Sequence, residues 1–450
     1  MTDGSNLQDV INNDWCIGCG VCSHADASIE VELDPRTLMY RPSSPGDERA
    51  ASVCPAVAVD FAGLHEWLFP GAPVSEFGVV DTVLLAQSTD EQRNLAASSG
   101  GLIKELLRHY LASEDVDGVI ALSHVEGLDF RQTVLTKPDE VDTLPGSIYH
   151  NLAQPESLTL LRENPGRYVL VGIPCQLEGI YQYIREFEPE LKQKIHSTVG
   201  LLCGWQYNHH ALRALGSYKK FDAEEITNVQ YRGGGPIGKL RITTPEKEHV
   251  IGRRVDFGYQ VAFDRSFNLA RCHVCVDHSN FLADLVVGDA WLPSTVTTRT
   301  GVSMVVCRTA EASAAMAALE TAGSIVTALA STSEVLESQK RRVVYGDFAY
   351  AYSEYLAEIG VPVPVMIGPN RSGAKLSPRK EVERFHDEFT RKVALQREGR
   401  YRFLFWRKAT VELRRHLSRY VNWFFVRVLK VKSIFGKRDE VNRELLKGFR

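Results

Sequence analysis

VVDTVLLAQS at residues 79–88, ASSGGLIKELLRHYLAS at 97–113 and VDGVIALSHV at 116–125 decide the fold class. The first and third are apolar runs bounded by turn formers and read as strands. The second opens on Ser and Gly and continues with apolar residues at helical spacing, so it reads as a loop feeding an amphipathic helix. Strand, helix and strand in succession indicate an α/β domain. Outward from this unit, RYVLVGIP (167–174), HSTVGLLC (196–203), KLRITTP (239–245), ADLVVGDAW (283–291) and GVSMVVCRT (301–309) are further strand candidates. Helices are expected at 176–187 and at the Ala-rich stretch 310–322. From residue 381 the chain turns helical and increasingly basic, and no internal repeat or low-complexity tract occurs.

Composition sets outer bounds. With 450 residues and 44% hydrophobic content the chain can bury a sizeable core without staples. Gly 34 and Pro 19 are ordinary, which excludes collagen-like and low-complexity classes. No leader pattern opens the sequence and no run of eighteen apolar residues follows, so a cytoplasmic location is expected. Nine cysteines are too few for a disulfide scaffold and odd in number. In a reducing compartment clustered cysteines point instead to metal or cluster ligation.

The cysteines fall into groups. WCIGCGVC places Cys16, Cys19 and Cys22 at C-x2-C-x2-C spacing, and Cys54 is followed by Pro55. Three thiolates separated by turns at Gly18 and Gly20 can take three corners of a cubane, with the remote Cys-Pro as the fourth. That is a ferredoxin-type 4Fe-4S signature, and the absence of a further cysteine at residues 23–27 limits the module to one cluster. A zinc ribbon is the alternative. Cys175 and Cys203 each follow an expected strand, and Cys272 and Cys275 form a C-x2-C turn. These four could hold a second cluster or a structural zinc, or include two inert thiols. Cys307, inside SMVVC, is expected in the core.

Two glycine-rich loops stand out. Ser98, Ser99, Gly100 and Gly101 precede a helix, so backbone amides and hydroxyls there could cradle a phosphate or a flavin edge, although an N-capping Ser-Gly is commonly structural. Arg232, Gly233, Gly234 and Gly235 let backbone approach a ligand while the guanidinium could pair with a pyrophosphate. Asp289 and Arg232 could orient a flavin or substrate, or be structural loop residues, and no catalytic proton donor can be assigned. No Walker motif or strand-associated G-x-G-x-x-G occurs, which argues against a P-loop or Rossmann domain. Thirteen histidines form no hydrolase or zincin pattern.

In order, WCIGCGVC, SVCP, AASSGGLIKELLRHYL with VDGVI, VGIPCQLEGI, GLLCGW, YRGGG, RCHVCVD and ADLVVGDAWLP resemble the coenzyme F-420 hydrogenase/dehydrogenase beta-subunit family over residues 14–308. Its members are iron-sulfur flavoproteins, among them deazaflavin-oxidising subunits, chlorophyll-pathway reductases such as 7-hydroxymethyl chlorophyll a reductase, and polysaccharide-biosynthesis proteins. The resemblance implies FAD held by Ser98, Ser99, Gly100 and Gly101. It also implies a second 4Fe-4S cluster on Cys175, Cys203, Cys272 and Cys275. Two positions depart from the family pattern: Ile148 stands where many relatives have lysine, and Pro236 follows YRGGG where relatives often carry an aromatic.

These readings combine into a mixed α/β (α+β) architecture. A ferredoxin-like 4Fe-4S module is expected over residues 1–72, an FAD-binding and second-cluster domain over 73–330, and a helical extension over 331–450. The expected function is an oxidoreductase relaying electrons between FAD, 4Fe-4S clusters and an organic substrate or the deazaflavin coenzyme F-420. An electron-transfer subunit feeding a partner enzyme and a non-redox zinc protein are the alternatives. Residues 400–450 hold 15 basic against 4 acidic side chains, leaving the rest of the chain at −15. This tail, with Phe403, Phe405, Trp406, Leu413, Leu417, Tyr420, Trp423, Phe424, Val428 and Phe435, suits either a helix lying on an anionic membrane or one packed on the acidic body or a partner subunit. The acidic body argues against nucleic acid.

Overall fold

The computed structural model describes residues 6–367, apart from 76, 236 and 297, and residues 377–427. Pro236 and the tail from 428 onward, with Val428 and Phe435, lie outside the described residues. The chain divides into two compact units, Met1–Val393 and Ala394–Arg450.

Eight strands form the central sheet: β1 (Thr82–Ser88), β2 (Gly118–Glu126), β3 (Asp129–Leu135), β4 (Tyr168–Gly172), β5 (Ile195–Leu201), β6 (Leu285–Asp289), β7 (Ser303–Cys307) and β8 (Ile325–Leu329). Their order is β8-β1-β7-β6-β5-β4-β2-β3. Strands β2, β4, β5 and β6 run parallel, while the other pairings are antiparallel. The mixed α/β class is therefore observed, with a parallel centre and antiparallel margins. KLRITTP forms a strand too, but in a separate three-stranded antiparallel sheet of Asn228–Gln230, Lys239–Thr243 and Glu248–Gly252.

The central strands are apolar on both faces because both faces are covered. Val83, Ile120, Leu170, Val286 and Met304 join a cluster containing Leu7, Trp15 and Ile17 from the N-terminal segment and Leu177, Ile180 and Ile184. The alternate residues, Leu84, Val119, Val169, Leu285 and Val305, pack with Leu102, Leu106 and Leu107 and with Met316 and Leu319. Cys307 is fully buried in this second cluster. Successive residues thus enter opposite layers, as the period of two requires.

Five helices carry or flank the chemistry-bearing residues: α1 (Val21–Ala25), α2 (Glu91–Ala96), α3 (Leu102–Leu111), α4 (Pro174–Phe187) and α5 (Tyr401–Arg427). Pro174 starts α4, where its missing N–H costs nothing. No described helix is long and apolar enough to cross a membrane.

Candidate functional site: two cysteine sets and a pair of glycine loops

In sheets with a parallel centre, ligands gather outside the carboxyl ends of the strands. The chain leaves β4 at Gly172 and delivers Cys175 on the first turn of α4; it leaves β5 at Leu201 and delivers Cys203; β6 ends at Asp289. Three residues singled out in the sequence therefore share one edge of the sheet.

Cys16, Cys19, Cys22 and Cys54 come together in the N-terminal segment. Burial pushes the Cys16 thiol up to about 12, and the neighbouring Cys54 adds to the shift. Cys19 is raised by burial and then by Cys54, Cys22 and Cys16, and Cys22 by burial and then by Cys54 and Cys16. Each ionised sulfur thus opposes the next, which requires them to be close. Backbone N–H groups point at these sulfurs: Gly18 donates to Cys16 at 3.4 Å, and Ala56 and Val57 donate to Cys54. The loop is held tightly. Gly18 has φ +77°, and a Cβ there would lie 2.2 Å from the Leu152 carbonyl oxygen. Asn151 donates to the Ile17 carbonyl at 2.8 Å and accepts from the Tyr40 amide at 2.6 Å.

Cys175, Cys203, Cys272 and Cys275 form the second set. Burial raises Cys175, followed by Glu178 and the other three cysteines. Cys272 and Cys275 are each pushed up to about 12, chiefly by burial. Gln206 N–H donates to Cys272 Sγ at 3.4 Å. His278 and Cys203 exchange backbone-level contacts that fix the loop: Cys203 N–H donates to the His278 carbonyl, and the His278 ring contacts the Cys203 carbonyl at 3.0 Å.

Sequence reasoning missed the buried ion pair beside these sets. Arg271 is 2% exposed and its Nη2 lies 3.7 Å from Oε2 of Glu178, which sits on α4 one turn beyond Cys175. No motif marks a pair 93 positions apart. Burial pushes the Glu178 carboxyl up, with Arg271 opposing.

The two glycine loops also meet. Ser98 to Gly101 follow α2, and the loop from Arg232 to Gly235 reaches its end, where Gly234 N–H donates to the Leu95 carbonyl at 2.8 Å. Much of the SSGG loop's polarity is used inside the fold: Ser99 Oγ donates to the Val302 carbonyl, Gly100 N–H donates to Ser303 Oγ, and Ser98 Oγ accepts from Ser147 N–H at 3.1 Å. A Cβ at Gly100 would lie 2.7 Å from the Ala86 carbonyl oxygen, so close packing on β1 requires glycine there. The start of α3 carries no side-chain cap. Space beside Gly234 is open to 4 Å, and Gly233 has little but Gln230 beside it.

Arg232 is 4% exposed and pairs with Asp289 at 2.6 Å, joining the RGGG loop to the end of β6. Its guanidinium lies 5.7 Å from the Trp291 ring centre and hydrogen-bonds Tyr149. Arg253 stands over Tyr149 and Tyr259. Behind them, His150 is buried, which pushes its imidazole down to about 3. Its Nε2 donates to the Leu128 carbonyl, so Nδ1 accepts from the Tyr231 hydroxyl at 2.8 Å. Ser99, Asp289 and Trp291 line a cavity of about 10 Å³, room for one water.

Comparison with known proteins identifies the family of this chain. The family models described as "Coenzyme F420 hydrogenase/dehydrogenase, beta subunit" match residues 83–159 with the N-terminal part and 166–332 with the C-terminal part. The chain is 23% identical over 304 residues to a subunit of the F(420)H(2) dehydrogenase of Methanosarcina mazei, covering 64% of this chain and 79% of that protein. It is 23% identical over 234 residues to the coenzyme F420 hydrogenase subunit beta of Methanococcus voltae, covering 50% of this chain and 79% of that protein. In structure it is similar to a chain of the F420-reducing [NiFe] hydrogenase complex from Methanosarcina barkeri, with a TM-score of 0.50, 18% identity, and coverage of 64% of this chain and 97% of that one. Matched in both halves of the central body, the chain belongs to the coenzyme F-420 hydrogenase/dehydrogenase beta-subunit family.

Proposed function

We propose that this chain is an iron-sulfur flavoprotein that relays electrons between FAD, two 4Fe-4S clusters and an organic partner of the deazaflavin class. The observation that carries this reading is the gathering of eight buried or half-buried cysteines into two sets, with backbone N–H groups of Gly18 and Gln206 aimed at the Cys16 and Cys272 sulfurs. Four buried thiols that repel when ionised are stabilised by a cationic cluster bound in their midst, and the N–H groups aimed at sulfur suit such a centre. Cys16, Cys19, Cys22 and Cys54 would hold one cluster in a ferredoxin-like module; Cys175, Cys203, Cys272 and Cys275 would hold the other. Among the described residues no group of three or more His, Cys, Asp or Glu is arranged around a single metal ion. Thiolates of a cubane each bind a different iron, so they need not converge on one point.

For FAD, the residues fit the diphosphate end. The uncapped start of α3 at Ser98, Ser99, Gly100 and Gly101 offers amides and a helix N-terminus, while Arg232, Gly233 and Gly234 offer a cation beside open backbone. The 10 Å³ cavity is too small for an isoalloxazine ring, so the ring would lie on the open side of these loops. A bound flavin supplies two-electron exchange with an organic partner and one-electron exchange with clusters. Arg232 would orient the diphosphate, and Asp289 would hold Arg232 in place. Whether the chain acts on its own substrate or feeds a partner redox subunit, the second reading being the one that complexes among its relatives favour, is decided by reduction with coenzyme F-420 or NAD(P)H in the absence of any partner.

Anaerobic purification should yield a brown protein with roughly eight irons, matching sulfide and about one flavin per chain. A colourless protein containing zinc and no flavin would sink the proposal.

A second proposal concerns α5 as a peripheral anchor on the inner face of a membrane. Trp406, Leu413 and Leu417 are 61%, 60% and 55% exposed, and at about 100° per residue they share a narrow arc with Phe403. Arg402, Arg407 and Arg414 flank that arc, the pattern of a helix lying on anionic lipid. The full chain should co-sediment with vesicles containing phosphatidylserine, and deletion of residues 400–450 should abolish this. Sedimentation that survives the deletion would assign the contact elsewhere.

A further inference from the structure

Arg271 is the largest fully buried side chain described, and it reaches both cysteine sets. It precedes Cys272 in sequence, and it interacts electrostatically with Cys275, Cys175 and Cys272. Its far end turns the other way: Nη2 donates to the carbonyl of Pro55, next to Cys54, at 3.3 Å, and its charge acts on Cys54 as well. Met366 Sδ closes the contact at 3.8 Å. Its counterion, Glu178, is fully buried, and neither carboxylate oxygen has a hydrogen-bond partner among the described residues; Nε and Nη1 of Arg271 likewise have none. Hydrogen bonding inside the fold is thus a poor reason for placing a guanidinium there. Taking a charge out of water is costly unless strong opposite charge surrounds it, and two sets of four thiolates supply that charge.

We infer that Arg271 is a shared electrostatic bridge that raises the reduction potentials of both iron-sulfur clusters together. The inference rests on the two-cluster reading proposed for this chain. Each added electron makes a cluster more negative, so a fixed cation near both favours their reduced forms. Its contacts are with Pro55, Met366 and Glu178, so Arg271 acts through its charge as a positioning residue.

The test is an EPR-monitored redox titration of the anaerobically purified full chain and of two variants, with iron counted in each. Arg271→Gln should move both midpoints to more negative values, a fall of about tenfold in the reduced-to-oxidised ratio at fixed potential, or about 59 mV for a one-electron couple. Arg271→Lys keeps the charge but ends one atom short of the guanidinium nitrogen that contacts Pro55. Its N-terminal cluster should fall in potential while the second stays near the parent value. This variant decides the matter if Arg271→Gln does not load. Full iron with both midpoints unmoved in the loaded variants overturns the bridge and leaves the proposed function intact. A parent protein with about four irons overturns both.

Discussion

The Cys16→Ser protein should carry roughly four irons per chain where the parent carries eight, and it should keep its flavin. Serine is a poor ligand for iron in this setting because its hydroxyl is far less acidic than a thiol. The remaining three thiols, Cys19, Cys22 and Cys54, are buried, and burial raises each of them, with Cys54 adding to the shifts of Cys19 and Cys22, so without a cluster they stay protonated at neutral pH. Cluster loading therefore displaces protons from this set, and the partial ligand set should lose iron more readily as pH falls. The glycine loops near Gly100 and Gly234 belong to the other margin of the molecule's chemistry, tied to β1, β6 and β7 rather than to Cys16. Iron and flavin should consequently be lost separately. Iron analysis with flavin absorbance measures both; unchanged iron contradicts the ligand assignment, and joint loss of iron and flavin points to collapse of the fold.

Much of the architecture was legible because local pattern and burial agree. Every strand expected from apolar runs is present, since strands covered on both faces read as continuous Val, Leu and Ile. The helix expected at 310–322 is observed as Ala310–Thr321. Spacing also brought out the N-terminal cysteines, because C-x2-C-x2-C places three thiols within one turn-rich loop. What stayed hidden depends on long-range packing. KLRITTP looks like any other strand, yet it joins a different sheet, and nothing local distinguishes the two outcomes. The SSGG loop reads as a ligand cradle, but Gly100 is small because Ala86 and Ser303 press against it. Arg232 and Asp289 stood out separately, 57 residues apart, and only folding makes them an ion pair. Arg271 and Glu178 stood out not at all, since a single arginine beside a cysteine carries no periodic signal.

Replacing Arg232 by methionine should remove most of the bound flavin and destabilise the protein by about 3 kcal/mol, the low end of the range for breaking a buried ion pair because Asp289 is partly exposed. The two effects have different origins and can be separated. Stability falls because Asp289 loses its partner at 2.6 Å while the guanidinium's stacking on Trp291 also disappears. Flavin falls because the loop from Gly233 to Gly235 loses the cation that would face a diphosphate. In the double variant Arg232→Met with Asp289→Asn, the unpaired carboxylate is gone, so urea unfolding should recover much of the lost stability. Flavin content should not recover, because no cation has been restored. Arg232→Lys retains charge without the planar fork and should hold an intermediate amount of flavin. If flavin returns in the double variant together with stability, Arg232 serves the fold alone and the diphosphate must be held by the α3 start and other donors. If it stays absent from a stable protein, the buried arginine is the diphosphate's partner, and the ion pair with Asp289 is what holds its guanidinium in place.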